Sequence, residues 1–373
     1  MTEPLRIGIA CFSTFGGSGV IATEVGMLLA ARGHRVHVFS DERPGRLDVD
    51  RPNIVFHRVD ARQYPQIKDS AYLLALASAI VDVARRERLD IVHAHYALPH
   101  AVAAALARQV LGADGPRLVT TLHGTDITLV GSDPSFLPLT RHAILISDAV
   151  TTPSAWLREV THQFLQVPPA RAIDVIPNFV DGARFSPPPS PPPLEPRVLV
   201  HVSNFRPVKR VPDVVRVFAR VRAARPARLL LVGDGPDAAD VRALASTLGV
   251  ADDVRFLGER VDLTDCLRQS HVFLLPSETE SFGLAALEAM ACGVPVVAAR
   301  VGGVSEVILD GETGFLTPLG DVPAMAASVR RLLDDEPLRA RMAAAARRRA
   351  VTAFQVEPAV EAYAAVYRRV LGI

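Results

Sequence analysis

The amino-acid sequence predicts an α/β protein built from two doubly wound parallel sheets. Three observations predict it. Short β-branched runs alternate with longer helical patterns from end to end, the pattern of βαβ units. The alternation stops at Ser186-Pro-Pro-Pro-Ser-Pro-Pro-Pro-Leu194, six prolines in nine residues, and then starts again. A chain of 373 residues is also too long for one ordinary core, at roughly 150 residues per domain.

In the first half the strands are expected at residues 5–11, 35–39, 54–59, 91–94, 118–121 and 149–152, with a closing strand at 173–176. The proline-rich run can join neither a helix interior nor a central strand, so it reads as a linker. Beyond it, strands are expected at 197–202, 228–232, 254–257, 272–275 and 296–298, before an Arg- and Ala-rich helical end. The domains are therefore placed at 1–185 and 197–355 around a linker at 186–196. A last helical segment, 356–373, follows the run Arg347-Arg-Arg349. Ligands of such sheets bind beyond the carboxyl ends of the strands, so the residues just after each strand are the ones to search.

Composition excludes several classes. With 49% hydrophobic and 22% charged residues the chain is globular, and 41 basic residues against 40 acidic ones argue against a nucleic-acid binder or a polybasic membrane protein. The most apolar stretch, 71–83, is interrupted by Asp82 and reads as a buried helix, so no membrane span is expected. The N-terminus lacks the pattern of a signal peptide. Cys11, Cys266 and Cys292 share no ligand spacing and read as reduced thiols of a cytoplasmic protein. Only two of the 41 basic residues are lysine, Lys68 and Lys209.

Gly16-Gly-Ser-Gly19 follows the first strand and opens a helix, where backbone N–H groups and the helix dipole suit a phosphate. Gly17, Gly19 and Ala22 with Asp41 also fit a dinucleotide fingerprint, although 12–16 makes a longer loop than that motif has. His123-Gly-Thr-Asp126 places an imidazole and a carboxylate after the fifth strand, where they can orient a reacting group or simply brace their own loop. His93, His95, Tyr96 and His100 add polar groups to the same edge. They lack the acidic or thiol ligand that would complete a metal site, so none is expected.

In the second half, Arg206 and Lys209 follow a strand and lead into a helix. A planar fork and a compact point charge can grip a diphosphate from two sides, and cations at a helix start call for an anion nearby. Ser277-Glu-Thr-Glu280-Ser-Phe-Gly-Leu-Ala-Ala-Leu-Glu288 starts at another strand end. It holds Glu280 in a loop and Glu288 inside a helix among apolar residues, a placement that suits hydrogen bonds from a diol such as a ribose. Arg300-Val-Gly-Gly303 follows the next strand, and its glycines permit close backbone approach. Asp48-Val-Asp50 lies in a charged loop and reads as solvated.

Together these motifs resemble the retaining glycosyltransferases of the GT-B type, with two facing Rossmann-like domains and a cleft between them. The resemblance covers nearly the whole chain. Residues 280–295 match that superfamily's Glu-x7-Glu signature, and Arg206 with Lys209 its diphosphate-binding pair. More narrowly, Gly16-Gly-Ser-Gly19, His95-Tyr-Ala-Leu-Pro-His100, Thr120-Thr-Leu-His-Gly-Thr-Asp-Ile127, His201-Val-Ser-Asn-Phe-Arg206 and Leu229-Leu-Leu-Val-Gly-Asp-Gly-Pro236 are similar to the family that joins UDP-N-acetylglucosamine to L-malate in bacillithiol biosynthesis. The chain departs from that pattern at Pro207, Ser305 and the proline-rich run.

The resemblance implies that His123, Arg206, Lys209 and Glu280 carry the reaction. It implies donor binding by Gly17, Gly19, Arg206, Lys209, Glu280, Ser281, Phe282, Gly283, Leu284 and Glu288, and acceptor binding by Ser18, Tyr96, Thr121, Asn204 and Arg206. No metal or other cofactor is implied, the donor being a substrate. The partners are the two small molecules, with a homo-oligomer left open. The last helix is implied to cross back to the first domain. An inositol phosphate, glycan or lipid acceptor, a UDP-sugar 2-epimerase, a dehydrogenase and a non-catalytic sugar-nucleotide binder stay open as alternatives.

Overall fold

The computed structural model describes residues 3–14, 16–61 and 71–373, and Lys68 lies outside them. The chain forms two compact units, residues 1–177 together with 357–373, and residues 178–356. In the first, strands β1 (Arg6–Ala10), β2 (Arg35–Ser40), β3 (Ile54–Arg58), β4 (Ile91–His95), β5 (Arg117–Thr121), β6 (Ala149–Thr152) and β7 (Asp174–Val175) pair in parallel in the order β3-β2-β1-β4-β5-β6-β7. In the second, β8 (Arg197–Val202), β9 (Ala227–Val232), β10 (Val254–Phe256), β11 (Val272–Leu275), β12 (Val296–Ala299) and β13 (Gly314–Thr317) pair in parallel in the order β10-β9-β8-β11-β12-β13.

Most of these strands are rich in apolar residues on both faces, as strands covered by helices on both sides require. In the second unit, Val200, Leu230, Phe273 and Val296 point to one face and pack on the helices Leu284–Ala291 and Glu336–Ala353. Their neighbours Leu199, Leu229, Leu274 and Val297 point to the other, onto the helices Val211–Arg222 and Val322–Asp334. β13 was not expected from the sequence. Gly314-Phe-Leu-Thr317 is only four residues and becomes a strand by pairing beside β12.

The strand order reverses between β1 and β4 and again between β8 and β11. The loops after those strands diverge to opposite faces, leaving a crevice at the carboxyl edge of each sheet. That edge carries the motifs singled out above.

Two sequence expectations need correction. Residues 178–185 belong to the second unit, not the first. Val180 N–H donates to Phe354 O (3.0 Å), and Arg347 donates to Gly182 O (2.8 Å), Phe185 O (2.5 Å) and Ala291 O (2.6 Å). The arginine run is accordingly interior to the helix Glu336–Ala353, and Arg349 likewise donates to Glu306 O and Val307 O (both 2.7 Å). The proline-rich run, for its part, is docked at its start and is not a free linker. Arg268 donates to Ser186 O (2.8 Å) and Ser186 Oγ (2.7 Å).

The final helix, Val356–Leu371, packs within the first unit and buries Tyr363 and Tyr367 completely. The Tyr367 hydroxyl meets His93 Nδ1 at 2.7 Å, and His93 Nε2 meets Thr121 Oγ1 at 2.7 Å, which lies 2.6 Å from Thr151 Oγ1. Arg369 pairs with Asp174, and Arg32 with Glu361 (3.4 Å). Among the described residues no helix is long and apolar enough to cross a membrane. Cys11, Cys266 and Cys292 are buried and free.

Tyr367→Phe strands a ring nitrogen of fully buried His93 without its partner. The expected loss of stability is about 1–3 kcal/mol, measured by equilibrium urea unfolding.

Candidate active site

In the second unit, the turn Pro207–Lys209 follows β8 as one turn of 3-10 helix, with Arg206 as its N-cap. Arg206 is exposed and Lys209, three residues on, is part-buried. The loop after β11 is tied to this turn by Glu278 N–H donating to Val208 O (2.8 Å). Across that tie, Lys209 Nζ meets Glu280 Oε1 at 2.6 Å, and Ser277 Oγ donates to the same oxygen at 3.0 Å. The anion that the helix-start cations called for is thus Glu280.

Glu280 is held by its backbone as well, since its carbonyl accepts from Gly303 N–H (2.9 Å) in the loop after β12. A Cβ on Gly302 (φ +55°) would stand 2.0 Å from that carbonyl oxygen, so the Gly-Gly pair is what lets the two loops close on each other. Gly283 (φ +95°) then caps the helix Leu284–Ala291, which carries Glu288 with only 3% of its surface exposed. Ser281 and Leu284 are part-buried beside it. The Phe282 side chain is buried in the core and meets the Phe354 ring edge-on at 5.5 Å, so a donor contact from this residue would come from its backbone. Asn204 is exposed after β8.

In the first unit, the helix Gly17–Ala31 starts after the β1 loop, with Gly16 as its N-cap and the N–H groups of its first turn without intrahelical partners. Gly19 must be glycine, because a Cβ would stand 2.6 Å from Thr14 O and 2.8 Å from Phe12 O. Gly17 is exposed and Ser18 part-buried at the same helix start.

The loops after β4 and β5 meet through their aromatic rings. Tyr96 (φ +89°) stacks on His123 at 5.3 Å, Phe12 packs edge-on against Tyr96 at 5.2 Å, and His95 Nδ1 lies 2.9 Å from His123 Nε2. Burial first, and neighbouring imidazoles second, push His123 down to about 3 and His95 well below its usual value. Both rings are therefore neutral at physiological pH.

Two readings on this edge are corrected. Thr121 cannot serve an acceptor, since it is buried and its hydroxyl is shared among His93, Thr151 and Tyr363. His93 belongs to the same buried network and not to the edge. The carboxylate of Asp126 points inward and braces backbone. Asp48 pairs with Arg51 (3.3 Å) on the surface. Sequence reasoning missed the His95–His123 contact and the tyrosine–histidine network. Strand alternation signals that His93 and His95 share a face, but nothing local points to Tyr363 or Tyr367, some 270 residues away.

Two doubly wound units with glycine-rich and charged loops at their switch points fit the two-domain class of glycosyltransferases. In keeping with this, the fold matches sucrose-phosphate synthase of Thermosynechococcus elongatus (TM-score 0.85, 23% identity, 99% of each chain) and Anabaena HepE solved in complex with UDP-glucose (TM-score 0.81, 20% identity, 98% of this chain and 100% of that one). Residues 15–184 match the family described as Glycosyltransferase Family 4, and residues 184–349 the family described as Glycosyl transferases group 1. The chain is 45% identical over 383 aligned residues to N-acetyl-alpha-D-glucosaminyl L-malate synthase of Bacillus anthracis, covering 98% of this chain and 97% of that protein. It is 32% identical to a D-inositol 3-phosphate glycosyltransferase of Stackebrandtia nassauensis, covering 89% and 82%. The protein belongs to this glycosyltransferase family and is an enzyme.

Gly19→Ala forces a methyl into two backbone carbonyls. It is expected to cost at least about 1–3 kcal/mol, read as a lowered midpoint in thermal unfolding.

Proposed function

We propose that this enzyme transfers N-acetylglucosamine from UDP-N-acetylglucosamine to the hydroxyl of L-malate with retention of anomeric configuration, the first step of bacillithiol biosynthesis. The observation that carries the proposal is the 45% identity over nearly the full length of both chains. The site chemistry supports it. As UDP leaves, negative charge grows on its β-phosphate, and donors aimed at that charge lower the barrier by roughly 3 kcal/mol each. Arg206 and Lys209 supply them, with Lys209 exchanging its Glu280 partner for phosphate and freeing that carboxylate for the sugar hydroxyls. The backbone N–H groups of Gly17 and Gly19 and of the turn 281–284 complete the donor contacts, and Glu288 holds the ribose.

His123 orients the sugar as a neutral ring. A group held near 3 is a poor base at neutral pH, so the departing phosphate oxygen takes the acceptor's proton on the same face. The positive charge comes from Arg206 and Lys209, and the reaction runs without a metal. L-malate, a small dianion, is bound by Ser18, Tyr96, Asn204 and Arg206. Three buried free thiols suit a reducing cytoplasm.

A second reading, an inositol phosphate acceptor, is favoured by the 32% identity to a D-inositol 3-phosphate glycosyltransferase. UDP release from UDP-N-acetylglucosamine, followed with L-malate, inositol phosphate or no acceptor, separates the two. Malate is expected to accelerate it. Acceleration by inositol phosphate alone overturns the malate assignment, UDP release without any acceptor points to a hydrolase, and a second UDP-sugar formed without net UDP release points to an epimerase. In the same assay, Lys209→Ala and Glu288→Ala are each expected to lose at least about tenfold in turnover, or ~1.4 kcal/mol of transition-state stabilisation. Near-normal rates in either would remove that residue from the site.

A further inference from the structure

The carboxylate of Asp126 is completely buried at the start of the short helix Thr125–Thr128. One oxygen, Oδ1, accepts from His123 N–H (3.0 Å) and Gly124 N–H (2.9 Å) in the β5 loop, while Oδ2 accepts from Ala97 N–H (3.1 Å) in the β4 loop. The three donors flank the two rings that stack on each other. Ala97 directly follows Tyr96, and His123 is itself one of the acceptors' partners. We propose that Asp126 is a positioning residue for sugar transfer, its two oxygens fixing the β4 and β5 loops so that Tyr96 and His123 are presented together. This rests on the proposed function, in which those two residues serve acceptor and sugar.

Burial raises the Asp126 carboxyl to about 6 against the opposing pull of its backbone donors. An acid whose folded-state value is raised binds its proton more tightly when folded, so its contribution to stability is greatest at low pH and declines as pH rises through about 6. Ionised Asp126 therefore works against stability at neutral pH. Holding both loops at once needs both carboxylate oxygens as acceptors. Protonation, or an amide, converts one oxygen into a donor facing a backbone N–H and releases one of the two loops.

Two of the titratable neighbours, His95 and His123, are held far below this range. On the helix Ala155–Phe164, packed against the same turn, Arg158 pairs with Glu159 (3.1 Å) and His162 with Val167 O (3.1 Å). On the helix Leu137–Ile146, which packs on the β4 loop, His142 is exposed and Arg141 half-buried.

The test compares wild type with Asp126→Asn in malate-dependent UDP release from pH 5 to 8.5, alongside UDP affinity by calorimetry and thermal unfolding. The wild-type kcat is expected to fall on the acid side with a midpoint near 6. In Asp126→Asn, kcat is expected to drop at least tenfold and lose that acid limb, while UDP affinity stays within twofold and the unfolding midpoint is unchanged or higher. Equal kcat and an unchanged pH profile would overturn the positioning role. A parallel loss of kcat, UDP affinity and unfolding midpoint would also overturn it in favour of a structural role. If wild type shows no malate-dependent UDP release at any pH, it is the proposed function that fails, and the same comparison is then made with the acceptor that does accelerate release.

Discussion

Parallel strands cannot be joined by a tight turn, so every connection must cross a face of its sheet, and the direction of crossing reverses once in each unit of this protein. At the reversal, neighbouring strands send their loops to opposite faces, and the polar backbone at their carboxyl ends is left open to a ligand. The chemistry of the chain hangs on those few loops. Gly16 to Gly19 and Tyr96 lie after β1 and β4, and Arg206 to Lys209 and Glu280 after β8 and β11. Everything else, from the apolar strands to the covering helices, holds these segments in place.

The two loop clusters use opposite electrostatics. In the second unit, a lysine and a glutamate lie 2.6 Å apart with partial solvent access. In the first, imidazoles are packed against tyrosines and one another, and burial keeps them neutral. One cluster suits stabilising charge that appears during a reaction, and the other suits holding uncharged hydroxyls in a fixed orientation. Asp126 stands between these cases, a buried acid whose charge is supported by backbone N–H groups.

Much of this was legible in the sequence because it is local. Alternating apolar runs place twelve of the thirteen strands, and the missing one is a four-residue segment that only its neighbour makes a strand. The Arg206–Lys209 spacing and the Glu280–Glu288 spacing are visible as residues in a row, so their assignment to strand ends needed no coordinates. The inward turn of the Thr121 and Phe282 side chains was not legible, because position after a strand says which residue is at the edge and not which way its side chain points. The proline-rich run was misjudged similarly, since composition speaks of stiffness but not of Arg268 waiting to receive it.

The sequence by itself determined the class of fold, the edge of each sheet that carries chemistry, and the kinds of groups found there, since propensity, period and turn residues act over a few positions. The tertiary structure decided which of those groups meet. Lys209 and Glu280 are 71 residues apart, and His93 and Tyr367 are 274 apart. The pairings that turn a list of polar residues into a site arise only when packing brings distant segments within hydrogen-bonding reach.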